Sequence, residues 1–124
     1  SSVNAMIYAR GHASDYDAWA AEGNPGWAWA DVLPYFKRAE HNERGADAWH
    51  GTGGPLNVKD LTSPNPFVAH FVAAGREAGQ PVNPDFNGAE QEGVGPYQVT
   101  HKDGERFSAA KAYLTPHLGR PNLT

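Results

Sequence analysis

The sequence predicts an α/β chain (α+β mixed) of short helices plus a few β-strands, loop-rich and without an internal repeat. Apolar residues at helical spacing recur in brief blocks that alternate with shorter strand-like runs. The 14 Gly and 10 Pro fall between those blocks and not in a low-complexity tract. With 124 residues, 40% of them hydrophobic and 19% charged, the chain is long enough to bury a core.

Val3 to Tyr8 is mixed apolar, reads as extended or helical, and ends at Arg10-Gly11. Ser14 and Asp17 have capping-box spacing, and Tyr16, Trp19 and Ala20 share a face, which predicts a helix from Ser14 to about Ala21 that stops at Gly23. Gly23 to Trp27 ("GNPGW") is turn chemistry. A second helix lies within Trp29 to Glu40, with Val32, Leu33 and Phe36 on one side. Taking Asp31 as its N-cap puts Pro34 at N3, where a missing N–H breaks no helical bond. His41 to Gly54, polar and glycine-rich, reads as a loop, and Pro55 to Val58 as a short strand. The third helix has Ser63 as N-cap, Pro64 at N1, a stripe of Phe67, Val68, Phe71, Val72, Ala74 and Ala78, and Gly79 as its stop. Pro81-Val82 and roughly Val94 to His101 read as β segments, the second with Tyr97 and Val99 alternating with Gln98 and Thr100. Asp103-Gly104 is a hairpin turn between Lys102 and Glu105. A last helix starts near Ser108 and ends before Pro116, and Arg120 to Thr124 reads as the opening of another strand.

Composition excludes several functions. A net charge of -4 with scattered Lys and Arg gives no footprint for nucleic acid. No apolar run is long enough to span a bilayer, and no signal peptide opens the chain. The lack of Cys removes thiol catalysis and Cys-based metal sites and fits a reducing compartment. A bacterial cytoplasmic location is expected, with a targeting segment ahead of Ser1 left open. Glu40, His41 and Glu43, and Asp47 with His50, are the nearest approach to a metal cluster, but they lack ligand spacing and read as solvated loop residues. There is no GxSxG elbow, and Ser108 serves better as a cap. His12, His70, His101 and His117 read as packing or surface residues. Gly51 to Gly54 ("GTGG") is a turn and not a phosphate loop, since no helix with a Lys follows it. The aromatics Trp19, Trp27, Trp29, Tyr35, Phe36 and Trp49 would suit a carbohydrate platform, but at helical spacing they read as core. No catalytic residue and no metal site is assigned.

The opening stretch "SSVNAMIYARG" (Ser1 to Gly11) resembles the second half of the first signature of the glucose–methanol–choline (GMC) flavin oxidoreductases, Gly-Gly-Ser-Ser-x-x-Asn-x-Met, closing on Arg-Gly. "DYDAWAAEGNPGWAWADVLPYFKRAE" (Asp15 to Glu40), "HGTGGPLNV" (His50 to Val58), "NPDFNGAEQEGVGPYQVTHKDGERFSAAKAYL" (Asn83 to Leu114) and "RPNLT" are similar to blocks that follow in choline dehydrogenase-like members, in the same order.

This resemblance implies a partial two-domain piece of an FAD-dependent alcohol dehydrogenase. Residues 1–60 would belong to the FAD-binding domain, 61–105 to the substrate-binding domain, and 106–124 would return to the first. It implies FAD contacts at Ser1, Ser2, Val3, Asn4, Ala5 and Met6, with Asn4 approaching the flavin ring. Some members attach flavin through a His where this chain has Val3, so non-covalent FAD is expected. The Gly-x-Gly-x-x-Gly motif and the family's catalytic His have no counterpart here. An internal piece, inactive alone and at best weakly flavin-binding, is therefore expected, its parent oxidising a small primary alcohol to an aldehyde by hydride transfer to flavin. The other reading is a stand-alone, non-catalytic binding module or homo-oligomer formed through faces that the missing domains would cover.

Overall fold

The computed structural model describes residues 4–123; Ser1, Ser2, Val3 and Thr124 lie outside the described residues. Helix α1 covers Ala13–Ala21. Its capping box is His12 with Asp15 and not Ser14 with Asp17. His12 Nδ1 accepts from the Ser14 N–H at 3.2 Å, and Asp15 Oδ2 accepts from the His12 N–H at 3.1 Å. An imidazole with an acceptor nitrogen thus does what a Ser hydroxyl does elsewhere.

Asp17 has a different partner. Its Oδ1 accepts from the Trp29 N–H at 2.9 Å, satisfying an orphan donor at the start of helix α2, Trp29–Ala39. The helix therefore starts before Asp31, and Pro34 falls in its interior, where it removes the N–H that the Ala30 carbonyl would take. Tyr16 joins the two helices, with ring centroids 5.4 Å from Trp19, 5.5 Å from Trp29 and 5.8 Å from Phe36. These aromatics pack helix on helix, but the expectation that they form core is corrected for Trp19, Trp27 and Tyr35, which are exposed.

The stretch read as a loop after α2 begins with a strand. β1 (Glu40–Asn42) pairs in parallel with β2 (Leu56–Val58), Glu40 opposite Leu56 and Asn42 opposite Val58. Residues 43–55 connect them, about the dozen residues a parallel crossover needs. The predicted strand from Val94 to His101 is broken into bridges: Val94 with Val82 in parallel, and Val99 antiparallel to both Lys59 and Ile7. Because Lys59 follows β2, the extended order β1, β2, Val99, Ile7 forms a small sheet that carries residues 6–8 at one edge. Gln98 and Val99 are both buried, so the expected alternation fails there.

Helix α3 covers Phe67–Glu77 and starts after Pro66, with Asn65 Oδ1 accepting from the Phe67 N–H, so Ser63 and Pro64 lie ahead of it. Its end matches expectation. Gly79 has φ 87°, its N–H reaches the Arg76 carbonyl, and the Gln80 N–H reaches the Gly75 carbonyl, which is the Schellman pattern. Strands β3 (His101–Lys102) and β4 (Glu105–Arg106) form the predicted hairpin, with positive φ at Asp103 and Gly104 as a type I′ turn requires. The last helix is a π-helical turn, Ala110–Leu114, with Ser108 Oγ accepting from the Lys111 N–H. It runs on through Pro116 as a 3-10 turn, Thr115–His117. Residues 120–123 form a turn and not a strand, the Leu123 N–H reaching the Arg120 carbonyl.

The interior is polar. Among the described residues only Val58, Phe86, Val99 and Ala112 are buried apolar side chains, against Arg10, Glu40, Asn42, His50, Asn57, Asn83, Asn87 and Gln98. Phe67 and Phe71 of the α3 stripe are instead 76% and 72% exposed. Little apolar area is buried to hold these elements together, so pairing among the buried polar groups decides their arrangement.

Candidate functional site

Asn4 and Ala5 are exposed and Met6 is half-buried at the sheet edge. Asn4 Oδ1 accepts from the Met6 N–H at 2.9 Å, an Asx-type turn. Met6 has φ 67°, left-handed backbone that costs a residue with a Cβ about 1 kcal/mol or more. Strain of this kind gathers where a backbone is held for a ligand. Beside Ala5 opens an apolar groove of about 530 Å³, lined by Ile7, Leu61, Phe67, Phe71 and Tyr97. A small side chain, an accessible main chain and an apolar wall fit a flat conjugated ring with polar edges. The other residues the sequence assigns to this contact, Ser1, Ser2 and Val3, lie outside the described residues.

Four residues after the turn, Arg10 enters the interior and fixes the segment from behind. Its N–H donates to Asn87 Oδ1 at 2.8 Å, Asn87 Nδ2 donates to the Tyr8 carbonyl at 2.9 Å, and Gln91 Nε2 donates to the Arg10 carbonyl at 2.8 Å. The guanidinium donates to the Trp49 carbonyl at 2.7 Å and lies 2.9 Å from Glu40 Oε1. Glu40, 0% exposed, also accepts from the Gly51 N–H at 2.8 Å and meets His50 Nδ1 at 3.1 Å, while His50 Nε2 meets Asp85 Oδ2 at 2.9 Å. Charges thus alternate as Arg10, Glu40, His50, Asp85, running from the segment behind the turn into the 83–91 loop. The reading of Glu40 and His50 as solvated loop residues is corrected: both are buried ion-pair partners. His41 and Asp47 do stay exposed, His41 Nδ1 accepting from Gly53.

Glu40 and Asp85 face the two ring nitrogens of His50 and favour its charged form, while Asn42 Nδ2 also lies 3.0 Å from Nδ1. The hydrogen bond to Glu40 raises the His50 pKa above the ordinary His value against the opposing effect of burial, and Asp85 adds to the rise. Burial pushes the Glu40 carboxyl up, but His50, the Gly51 N–H and Arg10 outweigh it and leave it below the ordinary carboxylate value. Burial and the Glu40 charge push the Tyr8 phenol up to about 12, so it stays neutral beside the pair. The signs give a pH profile. The His50 contribution to stability is complete below its unfolded pKa of ~6.5 and is lost as pH rises through the raised folded value. The Glu40 contribution is present above its unfolded value and is lost as pH falls through the depressed one. The melting temperature is expected to decline as pH rises above about 6.5, and to lose that decline in His50→Gln while keeping the acid limb.

Among the described residues no group of three or more His, Asp or Glu is arranged to hold a metal. His12 caps α1, His70 is on α3, His101 on β3 and His117 on the 3-10 turn, and none of them joins the Asn4–Met6 turn. What the arrangement offers chemically is a presented backbone turn, fixed by a charged interior.

The chain is similar to known proteins over almost its whole length. The profile of the family described as GMC oxidoreductase matches residues 1–124. The oxygen-dependent choline dehydrogenase of Brucella anthropi is 54% identical over 123 residues, covering 99% of this chain and 22% of that protein. The enzyme of the same name from Sinorhizobium fredii is 53% identical with the same coverage. The chain therefore spans about a fifth of the length of these relatives. Among solved structures, pyridoxine 4-oxidase from Mesorbium loti superposes with a TM-score of 0.89 at 39% identity, over 98% of this chain and 25% of that one. An FAD-dependent oxidoreductase from Chaetomium thermophilum gives 0.86 at 29% identity, over 97% and 23%.

Proposed function

The chain belongs to the GMC oxidoreductase family, and on that premise we propose that it is part of an FAD-dependent enzyme oxidising a primary, choline-like alcohol to an aldehyde. The observation that carries the proposal is the strained, exposed Asn4–Met6 turn beside an apolar groove. Asn4, Ala5 and Met6, with Ser1, Ser2 and Val3 before them, would hold the cofactor. Bound FAD supplies the acceptor for a hydride from the carbinol carbon. Val3, which offers no nucleophilic nitrogen, supports non-covalent attachment.

The residues of this chain orient and exclude water; none is assigned the alcohol proton. Residues 1–60 and 106–124 are proposed to lie with the cofactor and 61–105 with the substrate. The chain by itself turns over no alcohol and binds FAD weakly. The choline dehydrogenases it resembles are from bacteria, and a bacterial cytoplasmic setting is part of the proposal; no described helix is long and apolar enough to cross a membrane. A second reading, self-association of a non-catalytic module, is favoured by exposed Phe67 and Phe71. An elution volume that stays monomeric at high concentration removes it.

The test is anaerobic mixing of the FAD-loaded full-length enzyme that contains this chain with choline and other primary alcohols. Bleaching of the visible flavin absorbance is expected. Failure of every primary alcohol to bleach a tightly held flavin sinks the reading, and flavin that stays on the denatured chain overturns the non-covalent assignment.

A further inference from the structure

The Asn4–Met6 turn is held from one side by the segment that ends in the β3–β4 hairpin. An Arg106 guanidinium N–H donates to the Asn4 carbonyl at 2.9 Å, the Thr100 N–H donates to the Met6 carbonyl at 2.8 Å, and Thr100 Oγ1 reaches the same carbonyl at 3.3 Å. Arg106 is 102 residues from Asn4 and Thr100 is 94 from Met6, so these bonds are not local turn chemistry. They bracket Met6 at φ 67°, a conformation that a residue with a Cβ leaves unless its surroundings hold it. The Arg106 backbone is held opposite His101 across the two-residue turn, which fixes the root of its side chain.

We infer that Arg106 is a positioning residue for the cofactor-facing turn, holding Asn4–Met6 in its left-handed form with Thr100 as second anchor. The inference takes its purpose from the flavin reading above and its content from the hydrogen bonds. The planar guanidinium fork gives the Asn4 carbonyl a donor of set direction, which a flexible ammonium does not. Removing it leaves the turn on Thr100 and its own Asx bond, free to relax out of the strained form.

The experiment compares Arg106→Met and Arg106→Lys with the parent in the full 124-residue chain. It reads amide hydrogen exchange at Met6 and, separately, FAD-induced shifts of the backbone amides. Arg106→Met is expected to speed Met6 exchange by about tenfold, the loss of one net hydrogen bond, and to abolish FAD-induced shifts at Ala5 and Met6. The Lys59 and Val99 amides, which bond each other's carbonyls across the sheet, serve as controls and should not change. Arg106→Lys should restore part of both effects, and it decides the matter if the Met variant does not fold. Unchanged Met6 exchange overturns the positioning role. Faster exchange with undiminished FAD shifts overturns its link to the cofactor. No FAD shift in the parent chain counts against the flavin reading, and Met6 exchange then still decides the role of Arg106.

Discussion

Replacing Glu40 by alanine is expected to cost about 3–5 kcal/mol, the penalty for breaking a buried ion pair by removing one partner. Arg10 and His50 would be left as two like charges in an interior with only four buried apolar side chains among the described residues. His50 would give up its proton more readily, since its largest pKa-raising contact is Glu40, although Asp85 stays beside it. Arg10 has no such route, because a guanidinium keeps its charge. For a chain this small the loss is a large part of a total of roughly 5–15 kcal/mol. Urea unfolding followed by far-UV circular dichroism measures it. The double substitution Arg10→Met with Glu40→Leu should lose less than Glu40→Ala, since it removes both charges and fills the space with apolar atoms. Equal losses in the two would show that shape and not charge pairing holds this region.

Gly51→Ala should be nearly as damaging, for a steric reason. A Cβ at Gly51 would sit 1.9 Å from the Lys37 carbonyl oxygen at the end of α2, backbone that has no rotamer to yield. The same residue gives its N–H to Glu40, so pushing it away also weakens the ion network. A loss of about 3 kcal/mol or more is expected, at the upper end for overpacking. Gly119→Ala is the control: nothing lies within 4 Å of its built Cβ, and a change within about 0.5 kcal/mol is expected. The same unfolding experiment on both variants checks the pair, and a mild Gly51→Ala would mean that α2 and the 51–54 turn are not in close contact.

These two predictions rest on what was least legible in the sequence. The end of α3 at Gly79 and the Asp103-Gly104 turn could be read directly, because local backbone chemistry determines them within a few residues. Helix starts were less legible. His12 took a cap that Ser14 was expected to supply, and Asp17 reached across to Trp29, a contact twelve residues away in sequence. The ion network left no local pattern. Glu40 and His50 sit among polar and glycine residues that look like a solvated loop, and their partners Arg10 and Asp85 are 30 and 35 residues away. The one signal was the pair Gly51 and Gly54, whose need for close backbone approach marks a packed turn. The Asn4–Met6 turn was found only through family resemblance, since the left-handed Met6 depends on Arg106 and Thr100 at the other end of the chain.

The central claim is that this chain presents its first turn to a flavin. Amide-resolved titration of the full chain with FAD tests it most directly. The account predicts weak binding whose shifts concentrate at Asn4, Ala5 and Met6 and at the groove residues Ile7 and Tyr97. Saturable shifts elsewhere, with those amides silent, would contradict it.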